Sequence, residues 1–450
     1  MKDLPDFLKD VKKIGFFGFG KSNRAVFDFL SKRMEFTAVV REERSLTRDL
    51  PEGIEYLSGN DCFELRGEDV IFLSPSVRRE RDGIRTLADT GAILSSDAEL
   101  FFSLNRKPLL AVSGSDGKST TVRMTEAILN SSGASALACG NIGLPFVNAA
   151  EASASCLVTE LSSFTLEYTQ PHSRRALITN ITENHLDWHG SYKRYIAAKE
   201  NLLRNADECL LSPDSADSVP LIERHRPWGL FSTERHFSDL REKYPFAKQI
   251  FTLEGDALAA NGEPMISVAS LAKKEPHNIK NALAALALTQ GICDTGRGIE
   301  ALRSFSGLSH RMETVATIDG VGYVDSSIDS TPERTRATLA AMPERLILLL
   351  GGRGKGLSYD PLCEPLLKKR GAIIISGENR EEIAEALAAF EQLKKRIVIK
   401  DSLEEATREA MRLARCGDTV LLSPASTSYD AFNDFEERGN KFKEYLKTEG

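Results

Sequence analysis

The chain lacks paired cysteines. Its seven cysteines (Cys62, Cys139, Cys156, Cys209, Cys293, Cys363, Cys416) stand singly, no two form a CxxC pair, and their number is odd. They read as free thiols in a reducing compartment, mostly filling cores. Long apolar runs are missing too: none approaches about 18 residues, so no membrane span is expected. The segment after Met1 is polar and acidic, so no signal peptide is expected either. There is no excess of positive charge, since 58 Lys and Arg stand against 65 Asp and Glu for a net −7. That argues against a general nucleic-acid binder, whose footprint is basic. Repeats, low-complexity tracts and long linkers are absent. What remains, 41% hydrophobic and 27% charged residues in a chain of 450, is an ordinary globular composition. A cytoplasmic protein of two to four domains is expected.

One stretch organises the rest. Leu109-Leu110-Ala111-Val112-Ser113 is an apolar run that enters Gly114-Ser115-Asp116-Gly117-Lys118-Ser119-Thr120, and a helix-like pattern follows from Thr121 to Leu129. This is a phosphate-binding loop. Its glycines let backbone N–H groups approach an anion, the helix N-terminus adds partial positive charge, Lys118 adds a full one, and the Ser119 hydroxyl suits magnesium. The usual pattern wants a glycine six residues before the lysine, where Val112 stands, so this is a shorter loop.

Upstream, Lys13-Ile14-Gly15-Phe16-Phe17-Gly18-Phe19-Gly20-Lys21-Ser22-Asn23 reads as strand, glycine turn and helix. It resembles a dinucleotide fingerprint with Asn23 in place of the third glycine, which disfavours a nicotinamide site. The Gly18/Gly20/Ser22 turn suits a diphosphate, or else the glycines only tighten the turn. Arg41, at the end of Phe36–Val40, could stack on a base or meet a phosphate. The run Asp69 to Leu73 is another buried strand, ending in the small polar turn Ser74-Pro75-Ser76. Residues 1–97 read as a Rossmann-like domain.

Residues 98–308 alternate strand-like and helical patterns, which predicts a mostly parallel sheet covered on both faces. Functional residues then belong at the strands' carboxyl ends. Gly140-Asn141-Ile142-Gly143, Glu160 after Leu157–Thr159, and His185 after Ala176–Thr179 all fall there. Glu160 and the Ser119 hydroxyl suffice for one magnesium ion on ATP phosphates. A lone Glu or His at a strand end is often only exposed or structural; the phosphate loop beside them is what raises both to candidates. Lys199, in the helical stretch Tyr192 to Leu203, is by spacing alone an ordinary surface lysine. Asn278 and Asn281, one turn apart, could face a base edge or cap a helix. Gly307-Leu308-Ser309-His310-Arg311 marks a boundary, and from 309 to 450 the alternation restarts as a third, again Rossmann-like, α/β domain. Its strand ends carry Lys355, Ser426 and Ser428, a pocket suited to carboxylates, although such hydroxyls also cap helices.

GSDGKST, GNIG, ELSSF, NITENHLD, AAKENLL, HNIKNALAA, GLSHRME, LLLGGRGKG and LLSPASTSYDAFNDFEERGNKF follow one another in the order seen in the Mur ligases, and the chain resembles that family over its whole length. The resemblance implies three α/β domains: an N-terminal Rossmann-like one for the UDP part of UDP-N-acetylmuramoyl-L-alanine, a central phosphate-loop domain for ATP, and a C-terminal Rossmann-like one for ATP and the amino acid. It implies Ser22 and Ser74 near the diphosphate and Arg41 near the uracil. Gly114, Ser115, Asp116, Gly117, Lys118, Ser119 and Thr120 would cradle ATP, with Asn278, Asn281, Arg311 and Asp325 around its adenine and ribose. Two Mg2+ ions are implied, the first on Ser119 and Glu160, the second on His185 and on Lys199 as a carbamate. Asn141 would approach phosphates and substrate, and Lys355, Ser428 and Phe435 would hold glutamate. The two end motifs point to D-glutamate as the added amino acid; a sibling specificity, including L-glutamate, is the alternative. A monomer is implied, with no nucleic-acid or membrane partner. A folate polyglutamating ligase is disfavoured by the first domain, and a bare ATPase-type regulator by Glu160, His185 and Lys199 together.

One segment departs from the family pattern. Where members commonly read Asn-Asp-Ser-Lys-Ala-Thr-Asn, this chain has Val324-Asp325-Ser326-Ser327-Ile328-Asp329-Ser330. A lysine becomes Ser327 and a threonine becomes Asp329. The charge swap beside the glutamate site leads to the expectation that Arg334 or Arg336 restores a cation.

Overall fold

The computed structural model describes residues 4–43 and 50–448, so the polar start at 1–3 lies outside the described residues. The chain divides into two units, Met1–Phe305 and Ser306–Gly450.

The first unit holds two sheets. In the five-stranded one the order is Glu55–Ser58, Thr37–Glu42, Lys13–Phe17, Val70–Leu73, Ile93–Ser95, all parallel. The helix Lys21–Ser31 follows the glycine turn and buries Ala25, Val26, Phe29 and Leu30. The second sheet has nine strands. From Gln249–Glu254 through Gly229–Ser232, Ala206–Leu211, Ser173–Ile178, Leu109–Ser113 and Cys156–Glu160 to Ala136–Gly140 it is parallel; Ala257–Ala260 and Glu263–Ser267 extend it antiparallel. Leu109–Ser113 is buried at every residue and lies between Ser173–Ile178 and Cys156–Glu160. The carboxyl ends of these three strands therefore open side by side. An apolar run buried on both faces is what a strand in a covered parallel sheet requires.

The helix Pro276–Thr289 packs on this sheet, and Arg175 closes its C-terminal end. The guanidinium, 4% exposed, donates to the carbonyls of Ala287, Leu288 and Gln290 and pairs with Glu208. Cations at a helix C-terminus satisfy carbonyls that have no partner within the helix.

The second unit has one six-stranded sheet in the order Glu313–Ile318, Val321–Asp325, Thr419–Leu422, Leu346–Gly351, Ile373–Ser376, Ile397–Ile399. Only the first pair is antiparallel. All seven cysteines are free; five are buried, Cys293 is partly buried and Cys416 is exposed. No helix among the described residues is long and apolar enough to cross a membrane.

One buried acid gives the first unit a pH dependence. Asp97, 3% exposed, accepts from the backbone N–H groups of Phe146 and Val147 at the start of the helix Phe146–Glu151. Burial pushes its carboxyl up to about 7, against the two N–H donors. A pKa raised on folding stabilises the fold fully below the unfolded value near 4 and loses that stabilisation as pH rises through 7. Urea midpoints measured across pH 4 to 8 are therefore expected to fall more steeply for the native chain than for Asp97→Asn, which cannot ionise.

Candidate active site

The phosphate loop is built by close approach. Gly114 has φ +147, and a Cβ there would lie 1.8 Å from the Thr179 hydroxyl. Gly117 has φ +77, and a Cβ there would lie 2.3 Å from Oδ1 of Asn281. Both positions need glycine on sterics and backbone alike. Thr179 and Asn180, just past Ser173–Ile178, hold the loop: the Thr179 hydroxyl donates to the Asp116 carbonyl, and Oδ1 of Asn180 accepts from the N–H groups of Ser115 and Asp116. Lys118 opens the helix Lys118–Ser131, and its ammonium folds back onto the carbonyls of Gly114 and Ser115. Thr120 is buried in the first turn.

Three of the expected metal ligands, Ser119, Glu160 and Lys199, converge on this loop. The Ser119 hydroxyl donates to Oε2 of Glu160 at 2.6 Å. Asn141, exposed, donates its backbone N–H to the carbonyl of Glu160. Lys199 reaches Gly114 from the helix Tyr192–Arg204, its Nζ donating to the same carbonyl as Lys118, at 2.7 Å. The surface reading of Lys199 is overturned: it is 1% exposed and sits over the ring of Tyr195. Burial first, and then Lys118, hold its pKa well below the usual lysine value. His185 lies on an exposed loop in a left-handed conformation, φ +54. Burial of its ring, with Lys118 next, lowers its pKa, which keeps the imidazole neutral and its lone pair free.

Asn281 is buried against Gly117 and accepts weakly from Thr121. Asn278 instead bonds its amide to Glu275, one turn back.

At the five-stranded sheet the turn is closed by a side chain. Asn23, fully buried, donates to the carbonyls of Phe17, Gly18 and Phe72. This is the reason an asparagine stands where a dinucleotide fingerprint has glycine. Ser74 donates to the Gly18 carbonyl, and Ser22 and Ser74 line one cleft with Arg79, Phe146, Phe164 and Tyr168. Arg41 departs from expectation. It is 0% exposed, its guanidinium is bonded to Glu68 and the Cys62 carbonyl, and only its backbone carbonyl touches the turn, accepting from Gly18 N–H. The strand Thr37–Glu42 is buried from Ala38 to Arg41, so the side chain has no way out.

The second unit carries the altered segment. Ser327 is fully buried, and its hydroxyl donates to the carbonyl of Phe435. Asp329 faces inward as well, accepting from the hydroxyls of Thr338 and Ser423. Sequence reading missed the cation beside them. Arg438, 2% exposed, donates to the Ser327 hydroxyl and carbonyl and to the Ser426 carbonyl. Burial lowers its pKa to about 10 against the pull of Asp430, Asp325 and Asp329, so it is charged at neutral pH. Arg334 and Arg336 are exposed; Arg334 bonds the Ile328 carbonyl, and its charge adds to burial in lowering the pKa of Lys355. Ser428 is buried and Arg311 exposed. Asp325 is fully buried, accepting from Nδ1 of His310 at 2.7 Å and from Ser327 N–H. His310, Glu313 and Asp325 lie close enough to suggest a metal, but the Lys443 ammonium already sits 2.6 Å from Glu313 and 3.8 Å from Asp325.

Residues 112–289 match the family described as Mur ligase middle domain, and residues 310–426 the one described as Mur ligase, glutamate ligase domain. The chain is 34% identical to a UDP-N-acetylmuramoylalanine--D-glutamate ligase of Clostridium kluyveri, over 99% of this chain and 98% of that one. It is 32% identical to the protein of that name from Ruminiclostridium cellulolyticum, over 99% of each. The crystal structure of a UDP-N-acetylmuramate-alanine ligase from Thermotoga maritima shares the fold, with a TM-score of 0.60 at 20% identity, covering 97% of this chain and 100% of that one.

Proposed function

Because the chain belongs to the Mur ligase family, we propose that it joins D-glutamate to UDP-N-acetylmuramoyl-L-alanine in an ATP-dependent reaction of peptidoglycan precursor synthesis. The observation that carries this reading is the convergence of Ser119, Glu160 and Lys199 on one phosphate loop, in a chain that matches the D-glutamate ligases along nearly its full length.

The residues fit the groups the reaction needs. Ser119 and Glu160 offer adjacent oxygen ligands, the donor type magnesium prefers. Lys199 as an ammonium would repel a second ion. Its burial favours the neutral amine, which can attack carbon dioxide, lose a proton and become a carbamate, an anionic oxygen ligand. His185, kept neutral, completes that pair. Bound magnesium neutralises phosphate charge and stabilises in-line transfer.

The chemistry follows from charge. The substrate carboxylate and the γ-phosphate repel each other. Lys118 is poised to leave the Gly114 and Ser115 carbonyls for the phosphates, which would take the transferred charge. Transfer gives an acyl phosphate; the deprotonated amine of glutamate attacks its carbonyl, and phosphate leaves. The intermediate hydrolyses in water, so the site has to be closed before chemistry. Ser22 and Ser74 are assigned to the diphosphate end of the substrate, and Asn141 to the phosphates and reacting end. Asn278 and Asn281 are assigned to adenine and ribose; Asp325, fully buried against His310 and the Ser327 N–H, is out of a nucleotide's reach and supports its own turn instead. Lys355, Ser428 and the backbone at Phe435 are assigned to the glutamate carboxylates. Arg41 supports the first of these sites from beneath, through its carbonyl.

The test is phosphate release from ATP with UDP-N-acetylmuramoyl-L-alanine, offering D-glutamate, L-glutamate, L-alanine and diamino acids in turn. Turnover is expected with D-glutamate alone. Turnover only with another amino acid would overturn the specificity, and ATP hydrolysis indifferent to all of them would overturn the ligase reading.

A further inference from the structure

His185 is an exposed residue with a demanding task. A metal-binding imidazole normally donates its second ring N–H to a carboxylate or carbonyl, which sets the ring's direction. Among the described residues the His185 ring has no hydrogen bond; its nearest partners are the rings of Phe164, 4.9 Å away, and Tyr195, 6.4 Å away. Its direction comes from those ring contacts and from the backbone of its loop. That loop is exposed from Thr182 to Asp187, and Trp188 is intermediate. The first side chain beyond them that is wholly inside the protein is His189, at 0% exposure. The short helix Leu186–His189 links the two, since the N–H of His189 donates to the carbonyl of His185 at 3.0 Å.

His189 is gripped at both nitrogens. Nε2 lies 3.0 Å from the Ser163 hydroxyl, and Nδ1 lies 3.3 Å from Oε2 of Glu167. Ser163 and Glu167 belong to the helix Ser163–Tyr168, which follows Glu160 after only two residues. The other oxygen of Glu167 accepts from Arg194 at 2.7 Å, and Arg194 is on Tyr192–Arg204, the helix of Lys199. Burial pushes the Glu167 pKa up, but the bonds from His189 and Arg194 outweigh it, so the carboxylate stays ionised. One chain of contacts, Ser163–His189–Glu167–Arg194, thus ties together the helices that follow Glu160 and His185 and the helix that bears Lys199. Its serine, histidine and glutamate have the order of a hydrolytic triad, but with Ser163 4% and His189 0% exposed no substrate reaches them.

We propose that His189 is a positioning residue for metal binding: through Ser163 and Glu167 it sets the loop of His185 in register with Glu160 on one side and Lys199 on the other. The inference rests on the reading of His185 as a metal ligand. Partners bonded directly to a ligand change metal affinity by about 10–100-fold when removed; His189 acts one backbone bond away, so the lower end is expected.

The test uses the full chain with a non-hydrolysable ATP analogue and Mn2+ as the probe ion, free Mn2+ being read by electron paramagnetic resonance well below the melting temperature. His189→Phe keeps the ring's packing against Phe164 and Tyr195 and deletes both nitrogens; Mn2+ binding is expected to weaken about 10-fold. The Michaelis constant for the UDP substrate is expected to stay at the native value. Ser163→Ala, which removes one bond and little volume, is expected to weaken Mn2+ binding in the same direction by less. His189→Gln, which can keep the bond to Ser163, is expected to recover part of the loss. The control is His185→Ala. If it leaves Mn2+ binding unchanged, the metal reading itself fails. If it weakens binding while both His189→Phe and Ser163→Ala bind Mn2+ as the native chain does, the positioning role is overturned; should His189→Phe fail to fold, Ser163→Ala alone decides.

Discussion

Lys199→Ala is expected to lower amide formation by roughly 10²–10³-fold, the scale seen when a single group that stabilises transition-state charge is lost. The reason is geometric as well as electrostatic. Nζ of Lys199 is 2.7 Å from the Gly114 carbonyl, inside the phosphate loop, sharing that acceptor with the Lys118 ammonium. Its depressed basicity is what makes carbamate formation feasible at neutral pH, since only the unprotonated amine attacks carbon dioxide. Alanine leaves a small buried space beside Tyr195. A short-chain carboxylate such as acetate, added at high concentration, is expected to enter it and restore part of the rate. Measuring kcat with and without acetate decides the matter: full activity of Lys199→Ala, or loss with no rescue by any small carboxylate, would remove the carbamate from the mechanism. The amide-bearing Lys199→Gln is expected to stay impaired, because it brings bulk without negative charge.

The second large effect is expected at Arg438. Its guanidinium connects three backbone segments through Ser327, Ser426 and, by way of the Ser327 hydroxyl, Phe435. Arg438→Ala leaves the Ser327 and Ser426 carbonyls without that donor and leaves Asp325, Asp329 and Asp430 without the nearby charge. Hydrogen bonds from a charged donor are worth about 1.5–3 kcal/mol each, so a loss of several kcal/mol is expected. A denaturation curve should show that loss. Arg438→Lys is expected to fall between, since an ammonium cannot span three acceptors held in a planar fork. The Michaelis constant for D-glutamate is expected to rise in Arg438→Lys while that for the UDP substrate holds, because Ser428 and Phe435 flank the segments that Arg438 holds. An unchanged denaturation midpoint in Arg438→Ala would mean that water replaces the guanidinium without loss.

These two residues also mark what could and could not be read before the fold was known. Loop, strand and turn were legible because their signals are local: a glycine where φ is positive, a lysine after it, an apolar run before it. Hence the phosphate loop, the parallel sheets and Glu160 at its strand end were all within reach. Spacing alone read Lys199 as a surface residue, and only the family resemblance made it a candidate ligand, although its helix carried a sign of burial. It stands four residues after Tyr195 and three before Leu202, on the apolar face of its helix, and that periodicity carried the signal. Arg41 carried the same kind of signal in a strand apolar on both faces. Arg438 and His189 carried almost none. Each acts through partners distant in the chain, Ser327 for one and Ser163 for the other, and only the tertiary structure brings those together. The altered segment shows the limit most clearly. Two substitutions that look on paper like a reversal of charge at a binding surface are both turned inward, one onto hydroxyls and one beneath a guanidinium.

The asparagine that closes the first turn has a consequence for how this domain could change. Restoring the dinucleotide pattern takes one substitution, Asn23→Gly, but that step deletes, at a fully buried position, the amide whose two N–H groups serve the carbonyls of Phe17, Gly18 and Phe72, two hydrogen bonds in all. Each is worth about 1 kcal/mol. The single mutant would be less stable than the chain it came from, before any new ligand could compensate. The residue thus works as an evolutionary ratchet. The turn is kept by the cost of the intermediate as well as by what it binds, and a designer who wants to cross would have to rebuild the carbonyls' partners first and change the asparagine last.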